Sequence, residues 1–564
     1  MVRLRVMEYK CCIRHRAWGL VIAFLGVQVI LHAQWQGFSG GVQHQTNVFL
    51  RDSTIGADNT PQYDHQLIGN ETWINLHYRK EQFEGRVRFD HFQNSNLLDP
   101  QGSFSGTGIG YWYLSYRLGR VRFDGGYLYD QIGSGIIFRA YEDRTQLIDR
   151  ALYGARIEYE LAPDWKIRAF TGRQKRQFDR YGTDIRGVAI DGYVTKGAWS
   201  ISPGVGMLNT TYDEQTMQQI VNVLASYLPN DRVVPHYNTY LTTVYSTVQW
   251  RGWNLYIEWA HRFANVFFDA QAERSLVDGS KVLGKLVKRP GNVFYTSLSY
   301  SRRKLGISID VKRTQDFEHR TDPLLGINHG IIGFIPPMGR INTYRLTARY
   351  APATQYIGEQ GIQIDLSYRL NKRWYFNLNG SYIAELDGTV LYRELYLEAL
   401  YKRGRKGQLL FGIQNMRYNF AVYRGKPGAE DVRTWVPYAE WLLKRGRYHS
   451  MRMELQYMST RQDEGDWAFA LFEYGYAPHW LVELSYMYNV IRLGDPLKGS
   501  EAQRYQYLRR GRKGYPTVGI VYATGPHRFA LRYVKQTEGV VCSGGICRYE
   551  PAFSGVRFQV NSTF

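Results

Sequence analysis

Long apolar runs are almost absent from this sequence of 564 residues. Only one stretch, near the N-terminus, approaches the roughly 20 apolar residues that a membrane-spanning helix needs. The mean hydropathy is −0.41, which excludes a helical membrane protein. Catalytic motifs are also lacking, because HExxH is absent and the Gly133-Ser134-Gly135 string does not have the spacing of a nucleophile elbow. We therefore expect no catalytic residue, no metal site and no cofactor.

Cysteine is scarce, with four residues in all, of which Cys542 and Cys547 close the short loop CSGGIC. In an oxidising compartment two such cysteines are expected to form a structural disulfide. A zinc site would need two further ligands, and a redox pair usually has two intervening residues rather than four. We predict a disulfide between Cys542 and Cys547.

Residues 1–33 have the pattern of a secretory signal peptide. An apolar run from Trp18 to Leu31 follows a basic segment, and the small residue Ala33 offers a cleavage point. The alternative is an uncleaved membrane anchor, but the run is short and a polar, turn-rich stretch follows it. We predict export, with residues 34–564 as one mature domain. The basic residues are Arg3, Arg5, Lys10, Arg14 and Arg16.

The formal net charge is +21 at pH 7, and such a basic balance can indicate nucleic-acid binding. An exported chain does not meet nucleic acid, and the positive charge is spread over short turns rather than gathered in one patch. We therefore exclude nucleic acid as a partner.

Strict alternation of apolar and polar residues recurs along the chain. In Gly361–Leu370 (GIQIDLSYRL) every second residue is apolar and the residues between are polar or charged. Period two is the period of a β-strand, since a helix would scatter these residues around its circumference. The sequence therefore predicts an all-β protein.

The lengths of strands and connections favour a membrane barrel over a soluble β-sandwich. The alternating segments run for roughly 10–14 residues, whereas soluble strands average about 5–6 and a tilted strand needs about 9–11 to cross a bilayer. Tight turns alternate with long loops, which is typical of outer-membrane barrels with short periplasmic turns. The long loops are predicted at 52–69, 213–236, 267–290 and 493–514.

Tryptophan recurs at the exit of tight turns, a position suited to an aromatic girdle at the membrane–water boundary. The girdle residues are Trp165, Trp199, Trp253, Trp374 and Trp480. The chain ends on Phe564 in the outward phase of its last alternating segment. This ending resembles the C-terminal strand signature of bacterial outer-membrane barrels, which implies recognition by the barrel-assembly machinery.

The alternating segments predict a transmembrane antiparallel β-barrel of about 26 strands, with 24 possible, since such barrels have even strand numbers. This count includes strands at 341–351 and, weakly, at 328–336, where Pro336 and Pro337 are unfavourable. Met217–Leu228 has helical apolar spacing and is predicted as a short helix in a loop. Residues 131–150 are too irregular for a strand pair and are expected to fold into the lumen.

Charged residues on the inward phase are candidates for the lining of the lumen. They could set the selectivity of a water-filled channel, or they could pair with one another and merely fill the lumen. The candidates are Glu258, Asp310, Lys312, Asp365, Arg369, Glu394, Glu398, Arg452, Glu454, Glu483 and Arg532.

Basic residues cluster in the turns on the predicted periplasmic side. They are expected to interact with lipid, either by binding anionic headgroups or by placing long cationic side chains at the interface, and they could also contact an acidic periplasmic partner. The turns are 302–304, 372–373, 402–406 and 444–447.

Three segments carry a resemblance to a known family. YDQIGSGIIFRAYEDR (Tyr129–Arg144), YAPATQYIGEQGIQ (Tyr350–Gln363) and the ending VCSGGICRYEPAFSGVRFQVNSTF resemble a family of Gram-negative outer-membrane β-barrel proteins of unknown function. The resemblance spans nearly the whole mature chain. It implies a location in the outer membrane and assigns no activity and no site.

Two functions fit these observations. The first is a pore or channel for the passive passage of solutes, favoured by the strand number and the polar lumen. The second is a structural or assembly platform of a secretion or surface-anchoring complex, with a periplasmic or surface protein as partner. Whether the lumen is open distinguishes the two.

Overall fold

The computed structural model describes residues 37–96, 102–144, 148–326, 328–490, 513–543 and 546–564. The predicted signal peptide and most of the predicted loop 493–514 lie outside these residues. Among the helices described, none has the length and apolar character needed to cross a bilayer.

The described chain forms a closed antiparallel barrel of 24 strands. Each strand pairs with the next along the chain, and the first pairs with the last, with His44 opposite Val560. The first twelve strands are β1 Phe38–Phe49, β2 Ile68–Lys80, β3 Phe83–Ser95, β4 Phe104–Leu118, β5 Val121–Leu128, β6 Leu152–Ala162, β7 Trp165–Arg176, β8 Asp179–Gly192 continued by Val194–Lys196, β9 Trp199–Thr211, β10 Asn238–Trp250, β11 Trp253–Ser275 and β12 Lys281–Arg302.

The second half of the barrel continues the same up-and-down order. Its strands are β13 Leu305–Gln315, β14 Gly358–Arg369, β15 Trp374–Ala384, β16 Val390–Lys402, β17 Gly407–Tyr418, β18 Val432–Arg445, β19 His449–Met458, β20 Trp467–Tyr476, β21 Trp480–Asn489, β22 Gly514–Thr524, β23 His527–Gln536 and β24 Phe553–Thr563. Short paired segments in the connections, such as Gly539–Ser543 with Ile546–Glu550, lie outside the barrel sheet.

The prediction of about 26 strands was wrong, and the lower alternative of 24 is confirmed. The predicted strands 328–336 and 341–351 do not exist, because β13 pairs directly with β14 and residues 316–357 form one connection between them. The apolar residues that suggested a strand, among them Leu346 and Tyr350, are buried against the inner wall. Their spacing reflects packing inside the lumen rather than contact with lipid.

The predicted loop 267–290 is also wrong, because β11 and β12 continue beyond the other strands as a long hairpin. Its side chains Val266 and Leu286 are buried against helix α1, Glu214–Ala225. The prediction of a short helix in this region is confirmed, with Asp213 as the N-cap that accepts from the Thr216 N–H. Packing on the helix keeps the hairpin extended where the sequence suggested a loop.

The outer face of the barrel is apolar and the inner face is polar. Ile257 and Trp259 on β11 are 41% and 48% exposed, whereas Glu258 between them is 0% exposed. A soluble protein would bury the apolar side chains and expose the charged one, because the burial of apolar area away from water is favourable. The fold is therefore a transmembrane β-barrel of the outer-membrane type.

The barrel closes tightly at its C-terminal residue. The backbone of Phe564 exchanges two hydrogen bonds with Gly40, with N–O distances of 2.9 and 3.0 Å. A Cβ on Gly40 would lie 2.4 Å from the Phe564 ring, so only glycine leaves room for that ring at the closure.

The two ends of the barrel differ. The tight connections, such as 251–252 and 303–304, lie at the end where β1 begins and β24 ends, and the longest connections lie at the other end. We call these the tight-turn end and the long-loop end.

Candidate functional site

Two connections from the long-loop end fold back into the lumen. We call them together the plug: residues 129–151, between β5 and β6, and residues 316–357, between β13 and β14. Residues 145–147 and 327 within them lie outside the described part of the chain. The segment 131–150, which was expected inside the lumen, therefore lies there together with a second segment that was not.

The plug packs against the wall formed by β7 and β8. Gln174 donates to the backbone oxygen of Ile331 at 2.8 Å, and the Thr183 hydroxyl donates to the backbone oxygen of Thr321. Apolar residues of the plug, including Ile136 and Phe138, are buried with wall residues of β4 to β12 in one cluster.

The plug also packs against β17 to β20, on the far side of the barrel. The Leu346 N–H donates to Gln456 at 2.7 Å, and Gln414 donates to the backbone oxygen of Thr347 at 3.1 Å. Tyr350 donates to Asp463 at 2.7 Å. Because its contacts reach both walls, the plug crosses the lumen.

The two plug segments hold each other through their backbones. The Arg139 N–H donates to the Ile332 oxygen at 3.0 Å, and the Phe334 N–H donates to the Gly135 oxygen at 2.9 Å. The Arg139 guanidinium also lies over the Phe334 ring, 4.2 Å from its centroid. They therefore form one continuous structure, and removal of either weakens the other.

A buried ionic cluster ties the plug to β3 and β7. Arg88 forms ion pairs with Asp90 on its own strand and with Glu142 and Asp149 of the plug, at 2.7, 2.6 and 3.0 Å. Lys175 also pairs with Asp149, at 2.5 Å. Burial alone would raise the pKa of Asp149, but Lys175 and Arg88 lower it below its ordinary value, so this carboxylate stays ionised.

Four of the eleven charged residues predicted to face the lumen contact the plug. Glu258 accepts from the Ser134 N–H at 2.9 Å, Lys312 donates to the Pro336 oxygen at 2.8 Å, Glu394 accepts from Asn342 at 3.0 Å, and Glu398 lies 3.9 Å from Arg340. These residues anchor the plug rather than line a free passage.

Six others pair along the wall. Asp310 accepts from Tyr295 at 3.0 Å, Asp365 accepts from Asn379 at 2.7 Å, Glu483 pairs with Arg532 at 3.1 Å, and Arg452 joins Glu454 to Glu440 and Glu473. The eleventh, Arg369, is exposed at the tight-turn end of β14. The wall between plug and tight-turn end is thus polar and densely charged.

A cleft remains between the plug and the closing strands of the barrel. It has a volume of about 440 Å³, and most of the residues that line it are polar; they belong mainly to β1, β2, β24 and the last connection, with Arg144 from the plug. We call it the seam cleft. Gln559 donates to Gln45 at 2.8 Å across the β1–β24 seam. Arg144 of the plug donates to Gln43 and lies 5.9 Å from the Trp73 ring. The Arg144–Gln43 contact is the point where the plug closes the cleft.

The other sequence-predicted positions lie at the barrel surface. All five girdle tryptophans begin strands at the tight-turn end, and four contact an aromatic ring across the turn or on the next strand. The four basic turns lie at the same end.

Cys542 and Cys547 are direct backbone partners in a hairpin of the last connection. Their side chains lie outside the described part of the chain, and the disulfide remains a prediction.

Neither the Arg88 cluster nor the seam cleft could be predicted directly from the sequence. Arg88, Asp149 and Arg144 look like ordinary alternating or loop charges, because their partners lie on distant strands. The only available signal was the irregular pattern of 131–150 and the two prolines at 336 and 337.

We expect acid to weaken the plug through His319. Burial, and secondly the nearby Arg262 charge, lower the pKa of His319 to about 3, while an unfolded histidine titrates near 6.5. Below pH 6.5 the histidine binds a proton in the unfolded chain but not in the folded chain. The free energy of unfolding therefore decreases as the pH falls from 6.5 towards 3. At pH 4.5 the loss is about 3 kcal/mol.

Denaturant unfolding of the wild type and His319→Gln, compared between pH 7.5 and 4.5, measures this loss. The stability difference between the two proteins should be constant above pH 7 and shift in favour of the glutamine variant on acidification. Parallel stability curves would contradict it.

Comparisons with known sequences find one matching family. A model of a family of unknown function matches residues 15–564. No curated protein matches.

Three solved barrels illustrate the structural likeness. The siderophore receptor PirA from Pseudomonas aeruginosa is 9% identical, with a TM-score of 0.39 over 94% of this chain and 80% of that one. The P pilus usher PapC translocation pore is 10% identical, with a TM-score of 0.36 over 93% and 99%. OccAB4 from Acinetobacter baumannii is 10% identical, with a TM-score of 0.32 over 71% and 97%. At such values no substrate, partner or mechanism passes from these proteins to this chain.

Proposed function

The chain belongs to the DUF6029 family, and we propose that its barrel is a gated channel for small polar solutes, with the plug as the gate. The observation that carries this proposal is the seam cleft, a polar space beside a plug that otherwise crosses the lumen. An open passive pore does not fit, because the plug packs on both walls. Passage requires the plug to move or the cleft to widen.

The lining of the cleft favours uncharged polar solutes. Amide side chains such as Gln43, Gln45 and Gln559 both donate and accept hydrogen bonds. Trp73 offers an apolar ring face, and the positive charges of Arg144 and Arg557 are balanced by the carboxylates of Glu71 and Glu550. Few, well-placed polar groups beside an aromatic ring are typical of small-molecule sites.

We expect Arg144→Ala to increase the flux of small polar solutes. The substitution removes the contact with Gln43 and shortens a side chain that bridges plug and seam. Reconstituted in liposomes, this variant should take up a neutral sugar about tenfold faster than the wild type, because a wider constriction raises permeation steeply.

Arg340→Ala is the matched control. Arg340 is also a plug arginine, but it lies over Tyr396 on the opposite wall, 3.7 Å from the ring centroid. Its loss should leave uptake within about twofold of the wild type. Equal uptake by both variants, or no change with Arg144→Ala, would reject the cleft as the solute path.

A second candidate function is an assembly platform, favoured by the exposed basic turns at the tight-turn end, such as 402–406 and 444–447. An acidic periplasmic protein would be the partner. This function replaces the first if neither the Arg144 variant nor removal of the plug produces a passage.

A further inference from the structure

Three arginines stand side by side on the outer face of β16, β17 and β18. Arg393 is the direct cross-strand partner of Arg417, and Arg417 is the partner of Arg433. Arg393 has the same phase as the exposed Leu395, whereas Glu394 between them is buried. The row therefore points away from the lumen, and we call it the arginine row.

Like charges directly opposite each other destabilise a sheet. Asp431 pairs with Arg417 at 2.6 Å, and neither Arg393 nor Arg433 has an acidic partner among the residues that the structure describes. One carboxylate thus faces three guanidinium groups. An additional anion at this place would remove the repulsion.

The row lies near the far edge of the membrane, on the inner side of that edge. Tyr401 and Trp441 mark the aromatic level at the tight-turn end of β16 and β18. Arg393 and Arg433 lie eight residues further along the same strands, which is about 19 Å along the membrane normal for a strand tilted by roughly 45°. The apolar band of such barrels is about 25 Å tall, so the backbone of the row lies about 6 Å inside the far edge of the band, and long arginine side chains can extend from there to the headgroups.

An apolar groove occupies the outer wall between these two levels. It measures about 1210 Å³ and crosses β14 to β21. The short side chains of Ala399 and Ala439 contribute to its lining, together with Phe411 and Leu455, which are 52% and 62% exposed. The groove and the arginine row share the strands β16 to β18.

We propose that this face binds one phosphate-bearing anionic lipid, with its headgroup on the arginine row and its acyl chains in the groove. Arginine suits a phosphate because its planar fork donates two parallel hydrogen bonds. A second copy of the chain is a poor occupant, since a two-fold interface would place two arginine rows against each other. A free phosphate would use the row but not the groove.

The test is native mass spectrometry of the full-length barrel in mixed micelles that contain phosphatidylglycerol or phosphatidylcholine. The wild type should retain one phosphatidylglycerol with an affinity at least about tenfold above that for phosphatidylcholine. Arg393→Gln combined with Arg433→Gln should abolish this preference. Arg173→Gln is the control, because Arg173 lies on the outer face of β7, outside the groove, where it shares Asp184 with Arg186 at 2.7 and 3.3 Å, and its loss should change nothing.

A second arm distinguishes the lipid from free phosphate. Ala399→Trp fills the groove without touching the arginines, and it should weaken phosphatidylglycerol binding by about fivefold, while millimolar inorganic phosphate should fail to displace the lipid. Displacement by phosphate with no effect of Ala399→Trp would overturn the proposal. So would a dimer without retained lipid, or an equal loss in the Arg173 control. Unchanged migration of the unheated variants on denaturing gels shows that each barrel is folded.

Discussion

Replacing both plug segments with short turns is expected to give a folded barrel that conducts ions freely. The barrel does not need these segments to close, because Leu128 is the cross-strand partner of Leu152 and Gln315 is the partner of Gly358. Each pair of strand ends is already adjacent, so a two-residue hairpin turn spans it. A 24-stranded wall then encloses a wide lumen, since porins with about 16–18 strands already hold an aqueous channel.

Planar-bilayer recordings measure this effect. We expect stepwise conductance at least about tenfold above that of the wild type. The matched control replaces residues 212–237, another long connection whose flanking residues, Thr211 and Asn238, are cross-strand partners. Helix α1 in this connection packs on the β11–β12 hairpin, so its removal should leave conductance unchanged. A silent barrel after removal of the plug would contradict both the gate and the channel.

Lys312→Met is expected to destabilise the barrel by about 3–5 kcal/mol, because it leaves a buried carboxylate without its partner. Lys312 on β13 and Glu359 on β14 form an ion pair at 2.5 Å, with side chains 0% and 1% exposed. Lys312 also donates to the Pro336 oxygen. The pair therefore joins the wall to the middle of the longer plug segment.

A double variant isolates the charge effect. Lys312→Met with Glu359→Leu removes both charges and should recover most of the lost stability, because apolar residues often replace a buried ion pair without penalty. About 1–2 kcal/mol stays lost, because Lys312 no longer donates to the Pro336 oxygen and the Gln355 N–H no longer donates to Glu359. Urea unfolding in detergent, followed by tryptophan fluorescence, measures each step. Equal losses in the single and double variants would show that the charge pair is not the cause.

The alternation of side chains was enough to predict the barrel wall. Twenty-four of the predicted strands correspond to observed ones, because each crosses the membrane between two chemically different faces and the period of two is imposed residue by residue. The strand number failed at 341–351, where Leu346 and Tyr350 alternate for a different reason. They face a buried inner wall, and a pattern of burial does not reveal whether lipid or protein covers the residue.

The sequence predicted on which face of the sheet the charged residues lie, but it did not predict which residues they contact. Glu258 and Glu394 lie on the inner face, as their positions in the alternating segments predicted. That they bind Ser134 and Asn342 of the plug depends on two connections, far apart in the chain, meeting inside the barrel. Such contacts have no local signature, since they depend on which strands the closed sheet places opposite each other.

The sequence by itself therefore determined that this chain forms a transmembrane barrel, which residues face outward and where the girdle tryptophans lie. These properties are local, because they follow from the strand period and from turns of a few residues. Only the tertiary structure decided the strand number, the plugged lumen, the seam cleft and the arginine row. Each of these depends on closure of the sheet and on its register, which bring together residues such as Arg144 and Gln43 that are distant in the chain.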